Sequence, residues 1–271
     1  MVTSLKAIED QIMVKVRKAQ YKGIETKREG IFHVTDFTKK CMRNVFYSKI
    51  FGNNDSMDTG KMTPLWVGVG IHKVTMVADS EEFNEMKMAY DFIADKGFIL
   101  STKDDIKKLY EYVGNSIEKW FDIVIGSVDD LTTISVNGHD ELCIVDKKTW
   151  RSRGFKKTSA SEDHIKQVNG YRVLINQCHK MDPKYASIVY FDMWQDGIEK
   201  PLVCPVELDP IAKTIQVWKN NREQLLSAYM TGSLPPRVID WLCNGYCPHA
   251  KRCFQEEKIP KEAVKIDVSS L

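Results

Sequence analysis

The sequence predicts an α/β fold carrying a helical N-terminal elaboration. Three patterns within its 271 residues lead there. Two β-branched runs, residues 121–136 and 141–150, flank the turn signal Asn137-Gly138-His139-Asp140 and read as a hairpin. Helix-periodic stretches stand before and after it, at about 104–120, 161–178 and 209–229. Two further apolar runs, 185–194 and 201–208, surround a Gln195-Asp196-Gly197 turn and read as a second strand pair. The middle of the chain therefore runs α-β-β-α-β-β.

The elements follow in order. Residues 1–20 place apolar side chains at helical spacing between frequent charges, which predicts an amphipathic helix and not a secretory signal. Residues 33–47, HVTDFTKKCMRNVFY, read as a basic-aromatic helix or turn. Residues 65–79 fit a buried helix interrupted by Gly68 and Gly70. Ser101 and Thr102 offer caps for the helix that follows. No repeat, low-complexity tract or linker breaks the chain. The expected organisation is one domain over 1–271, with a helical portion at 34–120, an α/β core at 121–230 and a cysteine-bearing region at 236–258.

Composition narrows the function classes. Apolar residues make up 43% and charged residues 28%, as in ordinary globular proteins. Thirty-nine Lys and Arg against 37 Asp and Glu leave a net charge of +2, which excludes a polybasic, histone-like chain. No window reaches the roughly 18 apolar residues of a membrane span. The expected location is intracellular, in the cytoplasm. The seven cysteines are an odd number, which argues against a disulfide framework and for a metal site or buried thiols.

The hairpin carries the chemistry. Asp129 lies late in the first run, in Gly126-Ser127-Val128-Asp129, and Asp146 and Lys148 lie on the second. Side chains alternate along a strand, so Asp146 and Lys148 share a face about 6–7 Å apart, within reach of Asp129 from the partner strand. Buried charges cost several kcal/mol each, on the order of an unfavourable core mutation, unless paired or bound to a cation. Clustered carboxylates suit Mg²⁺ or Mn²⁺, and a lysine beside them can steady charge on a phosphate. A D-x-K string alone is short and common, but here an apolar run, 142–145, precedes the aspartate. Gln167 and Tyr171 stand at i and i+4 on one face of the next helix. Between the hairpin and that helix, residues 147–160 hold six basic side chains and no acid, with Trp150 and Phe155 interleaved. That is a footprint for a phosphodiester chain and for base stacking. Near the tail, Cys243, Cys247 and Cys253 fall within eleven residues, a metal-site spacing.

The order histidine, G-x-x-D, I-V-D-x-K-T and Q-x-x-x-Y resembles the RecB-type branch of the PD-(D/E)XK nucleases. The resemblance covers about residues 34–254. It implies a restriction-endonuclease-like core, a mixed sheet flanked by helices. It also implies that His72, Asp129, Asp146 and the Lys147 carbonyl hold the catalytic metal, that Lys148 is the catalytic lysine, and that Gln167 and Tyr171 form the helix motif. The doubled aspartate leaves Asp129 or Asp130 as the ligand; the G-x-x-D spacing selects Asp129. The strand-holding residues would be Trp150, Arg151, Arg153, Lys156 and Tyr171.

Cys41 is similar to the lone upstream cysteine of the iron–sulfur members of this family, which include CRISPR-associated exonucleases. The resemblance thus implies a [4Fe–4S] cluster on Cys41, Cys243, Cys247 and Cys253. The tail spacing here is C-x₃-C-x₅-C where the family has C-x₂-C-x₅-C, which keeps a structural zinc, with His249 as a ligand, as the alternative. Cys143, Cys178 and Cys204 read as buried thiols. The expected function is a divalent-metal-dependent DNA exonuclease on single-stranded ends. The alternative is a non-catalytic or partner-dependent DNA-binding subunit of CRISPR-adaptation or recombination machinery.

Overall fold

The computed structural model describes residues 32–51, 83–150, 157–192, 201–239, 243 and 247–256. The elements in chain order are β1 (Phe32–His33), α1 (Val34–Thr38), α2 (Met42–Phe51), β2 (Asn84–Asp91), β3 (Lys96–Ile99), α3 (Lys103–Val113) and α4 (Ile117–Trp120). They continue with β4 (Ile123–Val136), β5 (His139–Trp150), α5 (Glu162–His179), β6 (Tyr185–Asp192), β7 (Leu202–Val206), α6 (Ile211–Thr231) and α7 (Ala250–Gln255). Seven strands form one mixed sheet in the order β3-β2-β4-β5-β6-β7, with β1 paired to β4. The β1–β4 and β5–β6 pairs are parallel and the rest antiparallel. Helices flank this sheet, so the α/β expectation holds.

The hairpin forms where the turn signal lies. Asn137 and Gly138 take positive φ, 54° and 80°, which a two-residue turn matched to strand twist requires. Val136 then pairs with His139, and the register runs back to Asp130 opposite Val145. Thr102 caps α3, accepting the Asp105 N–H while Asp105 accepts the Thr102 N–H.

Two expectations fail. The helical stretch expected at 104–120 ends at Gly114 and resumes at Ile117, giving α3 and α4. Residues 84–99 fall in the stretch read as helical, yet they form the β2–β3 hairpin. The string NEMKMAYD is rich in helix-forming residues, but Met86, Met88 and Tyr90 alternate with exposed Glu85 and Lys87. Pairing with β4, Met88 opposite Gly126, overrides the local preference. The helices expected at 1–20 and 65–79 and the turn at 195–197 lie outside the described residues.

The main core sits between the sheet and α1, α2, α5 and α6, and includes Val128, Ile144, Leu174, Ile188 and Trp218. A smaller core packs α3 and α4 on the sheet through Leu109, Val113, Trp120 and Ile123. Close approach of α5 depends on Gly126. A Cβ there would stand 2.6 Å from Leu174 Cδ1 and 3.0 Å from Val34 Cγ2. The glycine of the G-x-x-D string thus has a packing role, bringing the helix against the strand that carries Asp129. No helix among the described residues is long and apolar enough to cross a membrane.

Candidate functional site

The centre of the sheet carries three aspartates and two lysines on neighbouring strands. Their pairings divide them. Lys148 Nζ stands 2.7 Å from Asp146 Oδ1; the carboxylate is fully buried and the lysine side chain 19% exposed. Lys147, one residue earlier, turns to the other face and meets Asp130 Oδ2 at 2.9 Å. Both partners of that second pair are buried, at 1% and 0% exposure. Asp129 takes a different route. Its Oδ2 accepts the backbone N–H of Lys147 at 2.7 Å, so its carboxylate rests against the residue between Asp146 and Lys148.

This arrangement separates the doubled aspartate. Asp130 is the buried counter-ion of Lys147, while Asp129 is half-buried beside the chain of Asp146 and Lys148. Along β4, buried and half-buried residues alternate from Val124 to Asp130, and then Leu131 and Thr132 are both buried. The alternation breaks just after the pair of acids.

Above the hairpin, α5 presents Gln167 and Tyr171. The Gln167 amide donates to the Tyr171 hydroxyl, as the i, i+4 spacing allows. Both are buried, at 8% and 6% exposure. The Tyr171 ring lies over Gly126, with Cε1 3.3 Å from where a Cβ would stand. Little of the ring is open to solvent. Its place is a buttress between β4 and α5.

Trp150 ends β5 half-buried, with Lys157 Nζ 6.0 Å from its ring centre. His72, Arg151, Arg153, Phe155 and Lys156 lie outside the described residues.

A group the sequence reading passed over stands one turn before Gln167. His164 Nδ1 is 2.7 Å from the Tyr190 hydroxyl, which also accepts the Ser161 N–H. Burial, with Lys148 and then Lys157 nearby, pulls the imidazole down to about 4. Its i, i+3 spacing to Gln167 was the signal available, since it puts both on one helix face.

The cysteines gather beyond the start of α5, where Cys41, Cys243 and Cys247 share a cavity with Ser161, Glu162 and Asp163. Cys41, Cys243, Cys247 and Cys253 line one small pocket together with Asn44, Arg237 and His249. Cys41 precedes α2, and its carbonyl accepts the N–H groups of Asn44 and Val45. The Asn44 amide donates to Cys247 Sγ at 3.3 Å. Arg43, buried, donates to the Pro235 carbonyl at 2.7 Å and lies 4.0 Å from Cys253 Sγ. Burial pushes the Cys247 thiol up, the His249 N–H pulls it down, and the other three thiols push it up again, so all four share one electrostatic neighbourhood. His249 Nε2 is 3.2 Å from Ser48 Oγ and its ring lies 5.6 Å from that of Tyr47. Among the described residues no three His, Cys, Asp or Glu side chains form a ready metal-binding group. Cys143 and Cys204 are buried on strands and Cys178 is half-buried on α5; burial pushes the Cys143 and Cys178 thiols up to about 11.

No protein-family model matches the chain. No curated protein matches it either. Among solved structures, the crystal structure of SSO0001 is similar, with a TM-score of 0.51 and 14% identity over 90% of this chain and 95% of that one. At that identity the likeness is one of fold.

Proposed function

We propose that the chain is a divalent-metal-dependent DNA exonuclease of the PD-(D/E)XK type, acting on single-stranded ends and carrying a structural [4Fe–4S] cluster. The observation that supports it is the central hairpin, where the Asp129 carboxylate, the Asp146 carboxylate and the Lys148 ammonium gather around the backbone of Lys147. Two carboxylates and the Lys147 carbonyl are hard oxygen donors that fit Mg²⁺ or Mn²⁺. The resemblance adds His72 to that set. When bound, such an ion supplies Lewis-acid polarisation of the phosphate and an activated water.

The chain's own residues supply the rest. Asp146 holds the Lys148 ammonium at 2.7 Å before any substrate arrives. A donor fixed in this way can orient the attacking water or meet charge developing on a phosphate oxygen with little reorganisation. Gln167 and Tyr171 hold α5 against Gly126 and so keep the strand of Asp129 in place. Trp150 and the basic run after it would guide the strand.

The four thiols fit a soft metal group. Asn44 and the His249 N–H direct donors at Cys247, as the sulfur of a bound thiolate favours. His249 Nε2 is engaged with Ser48, which favours the all-cysteine set over a zinc site using that histidine.

A second reading, the partner-dependent DNA-binding subunit, draws on the lysine partners of Asp130 and Asp146, which balance the hairpin without a metal. Digestion of end-labelled single strands with Mn²⁺ separates the two. The wild type should degrade them, and Asp146→Asn should lose at least ~10²-fold in rate while still binding the strand. Equal rates for the two proteins would discard the site, and no wild-type digestion with or without partners would discard the nuclease.

A further inference from the structure

Tyr190 on β6 collects an unusual set of neighbours. It sits beside Lys148 in the parallel β5–β6 register, so the two side chains share a face. Lys157 Nζ lies 4.3 Å from the centre of its ring. Its hydroxyl accepts the Ser161 N–H at 3.2 Å and lies 2.7 Å from His164 Nδ1.

The Ser161 N–H occupies one lone pair of the Tyr190 oxygen and leaves its O–H able to donate to His164 Nδ1. In that arrangement the imidazole proton sits on Nε2 and the ring is a neutral donor, and this tautomer is part of what is tested below. The lowered affinity of this ring for a second proton, caused by burial and by Lys148 and Lys157, agrees with that state. Nε2 has no protein acceptor among the described residues. No described carboxylate pairs with Lys157 either. The contact with the Tyr190 ring face leaves its N–H groups available. Glu162, on the neighbouring turn, is drawn away by Lys40 at 2.9 Å and Lys166 at 2.7 Å.

Three donor residues thus stand about Tyr190: Lys148 beside it in the register, Lys157 over its ring and His164 at its hydroxyl. Asp146, the acceptor beside them, is engaged by Lys148. Such a set suits an anion with several acceptor oxygens. We propose that Lys157 and His164, held by Tyr190, form a phosphate-binding subsite beside Lys148, which seats a backbone phosphate next to the one cleaved. The proposal rests on the nuclease reading and names a contact that reading lacks. Lys157 steers by charge. His164 reads the phosphate by a directed hydrogen bond and stays neutral as it does so.

The test is binding of a fluorescent single-stranded 12-mer in EDTA, where hydrolysis is absent, across a range of salt concentrations. Lys157→Gln should weaken binding about 3- to 10-fold and lower the log–log salt slope by about 0.7, one phosphate contact on a single strand. His164→Ala should weaken binding about as much yet keep the slope, because it removes a neutral donor. Lys213→Gln, an exposed lysine on α6, should change neither, and thermal melts check that each variant is folded. In wild-type protein labelled with ¹⁵N-histidine, Nδ1 should be bare and Nε2 protonated. Added inorganic phosphate should shift the Nε2 signal. A proton found on Nδ1, or Lys157→Gln binding with wild-type affinity and slope, overturns the subsite and leaves the nuclease reading standing. A wild type that binds no strand at all overturns both.

Discussion

The hairpin centre and the cysteine corner handle buried polar groups in opposite ways. At the hairpin, charges that the fold encloses are matched within the fold: Asp130 by Lys147, Asp146 by Lys148, Asp129 by a backbone N–H. At the corner, four thiols share one pocket with a few donors and no covalent tie between them. The first region matches its charges internally. The second brings Cys41 beside Cys243, Cys247 and Cys253 through contacts such as Arg43 to the Pro235 carbonyl and Asn44 to Cys247. A cluster on those thiols, as proposed above, calls for a different test from an internally matched centre.

The largest effect should come from Asp130→Ala. It leaves the Lys147 ammonium buried at 1% exposure without its counter-ion, at a cost of about 3–5 kcal/mol in urea unfolding. Adding Lys147→Met should recover most of that loss, because the orphaned charge is gone. A wild-type urea midpoint for Asp130→Ala alone would show that the hairpin does not depend on internal matching.

The corner should respond to metal instead. Cys247→Ser in anaerobically purified protein should lose iron and visible absorbance and melt at least ~5 °C lower, since metal binding at a site joined across the chain is coupled to folding. Cys143→Ser should keep its iron and lose only about 1 kcal/mol, since a buried hydroxyl replaces a less polar thiol but has the Ile144 carbonyl and Ser187 within reach. Iron-free protein with unchanged melting would make the corner as self-sufficient as the hairpin. Zinc in place of iron would keep the four-thiol site and discard the cluster.

The effect confined to the narrowest range of conditions concerns pH. His164 is held near 4 in the folded chain, against about 6.5 when unfolded. Between those values the unfolded chain binds the proton and the folded chain does not, so stability rises with pH across that window. Nothing is lost above about 6.5, where the ring is neutral in both states. Wild-type stability should fall as pH drops from about 6.5 toward 4, and His164→Gln should flatten that slope in urea titrations. A slope identical in both proteins would remove His164 as its source.

Much of the architecture was legible in the residues. Two β-branched runs around Asn137-Gly138 marked the central hairpin, and 3.6-residue spacing marked α5 and α6 within one or two residues of their ends. These signals survive because they are local: a turn and an apolar stripe are written in consecutive side chains. The β2–β3 hairpin was not legible, since its methionines, lysines and alanine favour a helix until β4 is present to pair with them.

For the site, the sequence alone determined which residue types stand on the hairpin and that Asp146 and Lys148 share a face. Strand geometry gives that directly. The G-x-x-D spacing pointed to Asp129, and the tertiary structure added the different partners of the two acids, the Lys147 ammonium for Asp130 and the Lys147 N–H for Asp129. The tertiary structure alone buried Tyr171 over Gly126, placed His164 on Tyr190, and drew Cys41 into one pocket with a tail some two hundred residues away. Each of these is a long-range proximity, set by how helices and strands pack, and no local spacing encodes it.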